Sequence, residues 1–147
     1  MGYASLADLE MRLGGAAYVQ LTDAAGTGQA DAEVAAEALG GAEGEVDSYL
    51  ARRYAVPVAV AGEPAAAAVL KSVTLDLAEH RLHARRPTMP NDAIRRREAA
   101  VRWLERVAAG QAVLPTAREP AGNAALGIAA EAVGAERVMS RKGMENL

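Results

Sequence analysis

No cysteine occurs among the 147 residues. That excludes a disulfide framework and a thiolate metal site, and it fits an intracellular place of assembly. Phenylalanine is also absent, and there is one tryptophan. The core must therefore be built from small aliphatic side chains and close contacts between elements. No run of ~18 uninterrupted apolar residues exists, so no membrane span is expected. The opening MGYASLADLEMR lacks the basic and apolar segments of a secretory signal, and Met1-Gly2 followed by Ser5 is a poor acylation signal. A phosphate loop, a nucleophile elbow, a paired-His zinc motif and a dinucleotide fingerprint are all missing; Gly26-x-Gly28 has no third glycine. The expectation is a protein that is not an enzyme and carries no metal or cofactor.

What is present is alanine, valine and charge. Hydrophobic residues make up 51% and charged residues 24%, a balance that predicts a soluble globular protein. An Ala-rich chain with few aromatics favours helices over strands. Its length supports one domain that folds without staples. The net charge is −3, but it is unevenly laid out. Residues 1–51 carry nine acidic groups and one basic, whereas residues 52–106 carry six acidic and eleven basic. Two halves of opposite sign suit complementary surfaces that meet between copies.

Residues 31–57, DAEVAAEALGGAEGEVDSYLARRYAVP, are the stretch around which the rest is organised. Asp31 is placed to accept from the free N–H groups of a first helical turn. Ala35, Leu39, Ala42, Val46 and Tyr49 recur at 4-3-4-3 spacing and form one apolar stripe. Acidic residues at the start and Arg52-Arg53 at the end suit the helix dipole, and Pro57 marks the expected stop. Gly40, Gly41 and Gly44 lie mid-helix, where each costs ~1 kcal/mol relative to Ala. Gly40 and Gly44, four apart, fall on roughly the face opposite the stripe; they read either as drift in an Ala/Gly-rich chain or a local kink, or as small residues that let another backbone approach.

Before this stretch, Ser5 and Asp8 form a capping-box pattern ahead of a helix over residues 6–13, which Gly14-Gly15 stops. Residues 16–21 read as a short helical turn with Tyr18 and Leu21 inward. Residues 22–30 are a loop with half the pattern of a calcium site. Asp23 and Gly28 fit positions 1 and 6, but Ala25, Thr27 and Val34 stand where ligands are needed. A Gly-rich turn with Asp23 capping backbone N–H groups is the better reading. Residues 55–64 alternate Val56, Val58 and Val60, yet no second strand is available, so an apolar loop lying on the helices is expected. Pro64 opens a helix to about residue 84. One stripe is Ala66, Leu70, Val73 and Leu77; another is Ala68, Leu75, Ala78 and Leu82. Two apolar faces predict a central, buried helix whose Lys71, Asp76, Glu79 and Arg81 must find solvent or one another. His80 and His83 lack further ligands and read as solvated or salt-bridged. Asn91 is the expected cap of a helix over residues 92–109, ended by Gly110, with Ile94, Val101, Leu104 and Ala108 inward and Trp103 at the edge. Its Arg95, Arg96, Arg97, Arg102 and Arg106 form a basic face, either solvated or suited to nucleic acid or an acidic protein surface.

After residue 112 the pattern changes. Pro115, Pro120, Gly122, Gly127 and Gly134 punctuate a small-residue segment with scattered apolar points. Residues 113–147 thus read either as plain disorder or as an arm, partly disordered until bound, that orders on a partner. The fold class is all-α: a small bundle of four to five helices over residues 1–112 with an extended C-terminal arm.

Certain residues, taken in order, carry a family resemblance. They are Tyr3, Leu6, Asp8, Leu9, Leu13 and Gly14; then Gln20, Leu21, Thr22, Asp23, Gly26, Gly28 and Asp31; then Ala42, Glu45, Asp47, Tyr49, Leu50, Arg53, Tyr54, Val56 and Pro57. Leu75, Asp76, Leu77, Ala78, Arg81 and Leu82 continue it, followed by Arg97, Ala100, Trp103, Leu104 and Gly110. Over residues 3–114 the chain resembles the Mu-like phage neck proteins. The resemblance implies a head–tail connector, or adaptor, forming a ring commonly of about twelve copies beneath the portal. Its implied partners are other copies, the portal protein and the next neck or tail-completion protein, with non-specific contact to channel DNA and none to a membrane. Its implied place is the virion neck, and the host cytoplasm before assembly. Candidate subunit-interface residues are Gly40, Gly44, Asp47, Arg52 and Arg53. Candidate portal- or DNA-facing residues are Arg95, Arg96, Arg97 and Arg102. The candidate portal-binding arm offers Leu126, Ile128, Val133, Val138, Met139, Arg141 and Lys142. The competing reading is a small nucleic-acid-binding regulator acting through the basic helix.

Overall fold

A computed structural model describes residues 2–115 of the chain. Among them are five α-helices and no strand: α1 Leu6–Leu13, α2 Gly15–Thr22, α3 Ala32–Leu50, α4 Pro64–His83 and α5 Asn91–Ala108. The arm residues Leu126, Ile128, Val133, Val138, Met139, Arg141 and Lys142 lie outside the described residues.

Local chemistry sets most helix starts. The Ser5 hydroxyl accepts from the Asp8 N–H and the Asp8 carboxylate accepts from the Ser5 N–H, a reciprocal capping box. Asp31 accepts from the N–H groups of Glu33 and Val34 and caps α3. Pro64 occupies the first turn of α4, where its missing N–H costs nothing. For α5 the expectation shifts by one residue. Pro90 is the N-cap and Asn91 is already helical, with no side-chain cap bond. The other difference is the end of α3, which stops at Leu50 rather than near Pro57. There the chain turns and buries Tyr54, whose hydroxyl accepts from the Leu114 N–H at 3.0 Å.

Helix α4 is the centre. It packs on α1, α2, α3 and α5, and buried residues occur all around it: Ala66, Leu70, Val73, Thr74, Leu75, Leu77, Ala78, Glu79 and Leu82. Ala68, expected on the second stripe, is exposed. On α3 the stripe Ala35, Leu39, Ala42 and Val46 is buried, Tyr49 is half-buried, and Val34, Ala38 and Leu50 widen the face. The connection after α3 forms no strand; Val58 and Val60 pack on the core and Val56 is exposed. Leu114 is 1% exposed. The core thus closes inside the segment 113–147 that composition alone set apart.

Candidate assembly surfaces

The charged residues of α4 each find a partner on a neighbouring helix. Lys71 pairs with Asp8 of α1 at 2.9 Å, Asp76 with Arg12, and Arg81 with Glu45 of α3 at 3.0 Å. Glu79 is 6% exposed, and its carboxylate takes Arg96 of α5 at 2.5 Å, with Arg12 of α1 at 3.8 Å and His83 at 3.9 Å. One buried carboxylate therefore ties three helices together. Burial raises the Asp76 carboxyl above its ordinary range against the pull of Arg12. Burial, helped by Arg97, holds the His80 imidazolium below its ordinary range. The N–H of Ser5 and the ammonium of Lys71 hold the Asp8 carboxyl down at about 2.

These braces reassign the basic helix. Arg96 is committed to Glu79, and Arg97 to Glu45 at 3.0 Å. Arg95, Arg102 and Arg106 are exposed, but so are Asp92, Glu98 and Glu105 on the same helix. No net positive charge remains among these exposed side chains, and the nucleic-acid reading loses the patch on which it stood. Glu45 and Glu79 were legible as charges, but not as partners of Arg97 and Arg96. The partners are 52 and 17 residues apart in the chain.

The candidate interface on α3 divides. Gly40 and Gly44 are exposed, and a Cβ added at either would meet nothing within 4 Å. Gly41 differs: its Cβ would lie 2.8 Å from Nη1 of Arg81, so the missing side chain lets that guanidinium cross to Glu45. Asp47 is engaged within the chain. The Tyr3 hydroxyl donates to it at 2.5 Å and accepts from the Val58 N–H at 2.8 Å, which joins the N-terminal segment, α3 and the following loop. Burial and this carboxylate push the Tyr3 phenol well above its ordinary range. Arg52 is exposed, while the Arg53 guanidinium lies over Gly110, where a Cβ would sit 2.6 Å from Nη1. That Nη1 is buried without a hydrogen-bond partner. The outward face of α3 is thus a flat track, with Glu33 and Glu37 exposed near its start.

In the loop before α3 the Asp23 carboxylate accepts from the N–H groups of Thr27 and Gly28 at 3.0 and 2.7 Å. Both oxygens are used by the loop itself, and these bonds hold the carboxyl below its ordinary range. Among the described residues no three His, Asp or Glu side chains converge as metal ligands, and no helix is long and apolar enough to cross a membrane. One groove of about 680 Å³ opens between α3, α4 and α5, lined by Val34, Glu37, Ala38, Glu45, His80, Arg81, Ala84, Arg85 and Arg97. It was not legible in the sequence, because its walls come from three separated segments.

Among curated proteins none matches the chain. The family model described as Bacteriophage Mu, Gp36 matches residues 3–131, so the likeness runs past the 3–114 stretch that the motifs suggested. The match extends over most of the 147 residues, and the chain therefore belongs to the Bacteriophage Mu Gp36 family, a phage structural or assembly protein.

Proposed function

We propose that the protein is a head–tail connector subunit of a tailed phage or phage-like particle. Copies form a ring, of about twelve by analogy with cyclic assemblies of this kind, beneath the portal in the virion neck, after a period in the host cytoplasm. The ring presents a surface to the portal on one side and to the next neck or tail-completion protein on the other. The observation that carries this reading is the family match over residues 3–131. The use of polar side chains supports it. Lys71, Asp76, Glu79, Arg81, Arg96 and Arg97 are engaged in ion pairs that brace helix against helix, which suits a rigid building block. The outward track of α3, with Gly40 and Gly44 open to solvent, is a surface on which a second backbone can lie close.

The experiment is gold-labelled antibody microscopy of particles and of tail-less heads from the same lysate. Label confined to the neck is the expected result. Absence of the protein from every particle, while infectious particles still form, overturns the reading.

A further inference from the structure

Two surface features have no counterpart within the chain. The first is on α1. Ala7, Glu10, Met11 and Gly14 fall at the spacing that gathers residues on one helix face, and all four are exposed. Met11 is 83% exposed, more than Val56 or Val113, in a protein poor in large apolar side chains. Glu10 beside it makes no ion pair among the described residues.

The second is the groove between α3, α4 and α5. Val34, Ala38 and Ala84 give it apolar surface, and Arg81, Arg85 and Arg97 outnumber Glu37 and Glu45 among its charged residues. Glu45 alone serves both Arg81 and Arg97, and Arg85 has no carboxylate partner among the described residues. A guanidinium has five N–H donors, so this rim has donors to spare for one more carboxylate.

The two features come from different helices: no residue of α1 lines the groove. Helix α1 reaches α4 through Arg12, which meets Asp76 and Glu79, whereas the groove is built on Arg81, Ala84 and Arg85. Met11 is open to solvent and does not fill the groove of its own chain, so a second copy can supply it.

We propose that Met11 and Glu10 of one copy occupy the α3–α4–α5 groove of the next. Met11 packs against Val34, Ala38 and Ala84, and the Glu10 carboxylate meets the Arg85 guanidinium. The proposal rests on the ring reading and supplies its contact. Because it joins two different patches it is heterologous, and its repetition closes a ring when the rotation between neighbouring copies divides a full turn. The charge layout bears on the arginines: the knob belongs to the acidic half of the sequence and Arg81, Arg85 and Arg97 to the basic half, while the groove's Glu37 and Glu45 come from the acidic half.

The chain has no cysteine, so Met11→Cys with Ala84→Cys introduces the only thiols. Both positions are exposed, and unchanged circular dichroism verifies folding. Particles assembled with the double variant are treated with a short bis-maleimide and run on a denaturing gel. The expected result is a ladder of covalent multimers, absent from either single variant. Particles that contain the protein but give no ladder, or give a product with a different particle protein, overturn this contact and leave the ring reading standing. Particles from which the protein is missing, although the unsubstituted chain is missing too, overturn both. In the companion charge swap, Glu10→Arg or Arg85→Glu alone lowers copies per particle about tenfold and the pair together restores them; losses that simply multiply overturn the contact.

Discussion

Replacing Glu79 with glutamine probes the joint on which the bundle turns. The carboxylate is 6% exposed and holds Arg96 at 2.5 Å, with Arg12 and His83 within 4 Å. Removing one partner of a buried ion pair costs about 3–5 kcal/mol. Two features lower that figure here. Glutamine keeps an acceptor oxygen, and the side chains of Arg12 and Arg96 are 30% and 41% exposed, so both can turn to water. Against this, Nε of Arg96 is already buried without a partner, so the guanidinium has little slack. About 2 kcal/mol remains, in the range of one charge-assisted hydrogen bond. For a domain of this size that lowers Tm by about 8 °C. Thermal denaturation followed by circular dichroism at low and high salt reads it. The Glu79→Gln loss should persist in high salt. Loss of the more exposed Lys71–Asp8 pair should stay below about 1 kcal/mol and fade with salt. A double-mutant cycle with Arg96→Met should return a coupling of about 1 kcal/mol. A Tm change under about 2 °C, or strict additivity with Arg96→Met, refutes the idea that Glu79 ties α1, α4 and α5.

Gly44→Leu replaces an exposed helical glycine with a better helix former and meets no neighbour. The monomer should gain up to about 1 kcal/mol while incorporation into particles is lost; normal incorporation would reject the close contact at this face. Tyr3→Phe leaves the Val58 N–H and Asp47 without their shared hydroxyl. It should cost about 1–2 kcal/mol and speed amide exchange at Val58 far more than at Leu70; equal rates at Val58 before and after substitution would contradict the assignment. Two pH windows follow from the shifted groups. His80 is held below its ordinary 6.5, so the stability it contributes is complete above 6.5 and declines as pH falls from there towards its folded-state value. Asp8 is held at about 2 against an ordinary 3.8, so its contribution is complete above 3.8 and is lost as pH falls towards 2. Asp76, raised by burial, acts with opposite sign: its contribution rises as pH falls from its folded-state value to 3.8, above the window in which Asp8 loses its own. Urea midpoints between pH 8 and about 2 should show both declines, and His80→Asn should remove the first alone.

The helices were legible because their signals are local. Ser5 with Asp8, Asp31, and Pro64 each fix a helix start through groups within a turn, and the Ala35–Leu39–Ala42–Val46 stripe is a matter of spacing. Glu79 was legible as a charge on a buried helix, since α4 had two apolar faces and little solvent surface left for it. What escaped was pairing at a distance. The five arginines of α5 look alike in sequence, yet Arg96 and Arg97 pair with Glu79 and Glu45 while Arg95, Arg102 and Arg106 make no ion pair among the described residues. Asp47 was legible as acidic, but its partner Tyr3 lies 44 residues away. Leu114 sits among Gly, Pro and Ala residues without helical period, so nothing nearby marked it as core; the Tyr54 hydroxyl that receives its N–H is 60 residues earlier. The α3–α4–α5 groove has the same origin. Met11 is the converse case: its spacing from Leu9 and Leu13 turns it ~160° from their buried face, but nothing in the sequence says what it meets there.

The central claim is that this bundle is a ring subunit of the phage neck, and the measurement that bears on it most directly is a symmetrised electron cryomicroscopy reconstruction of that neck. The account predicts a cyclic layer directly beneath the portal. Each repeat should hold five helices of about 8, 8, 19, 20 and 18 residues, with α4 at the centre. A neck whose layers are all filled by other chains, with no repeat into which this bundle fits, would contradict it.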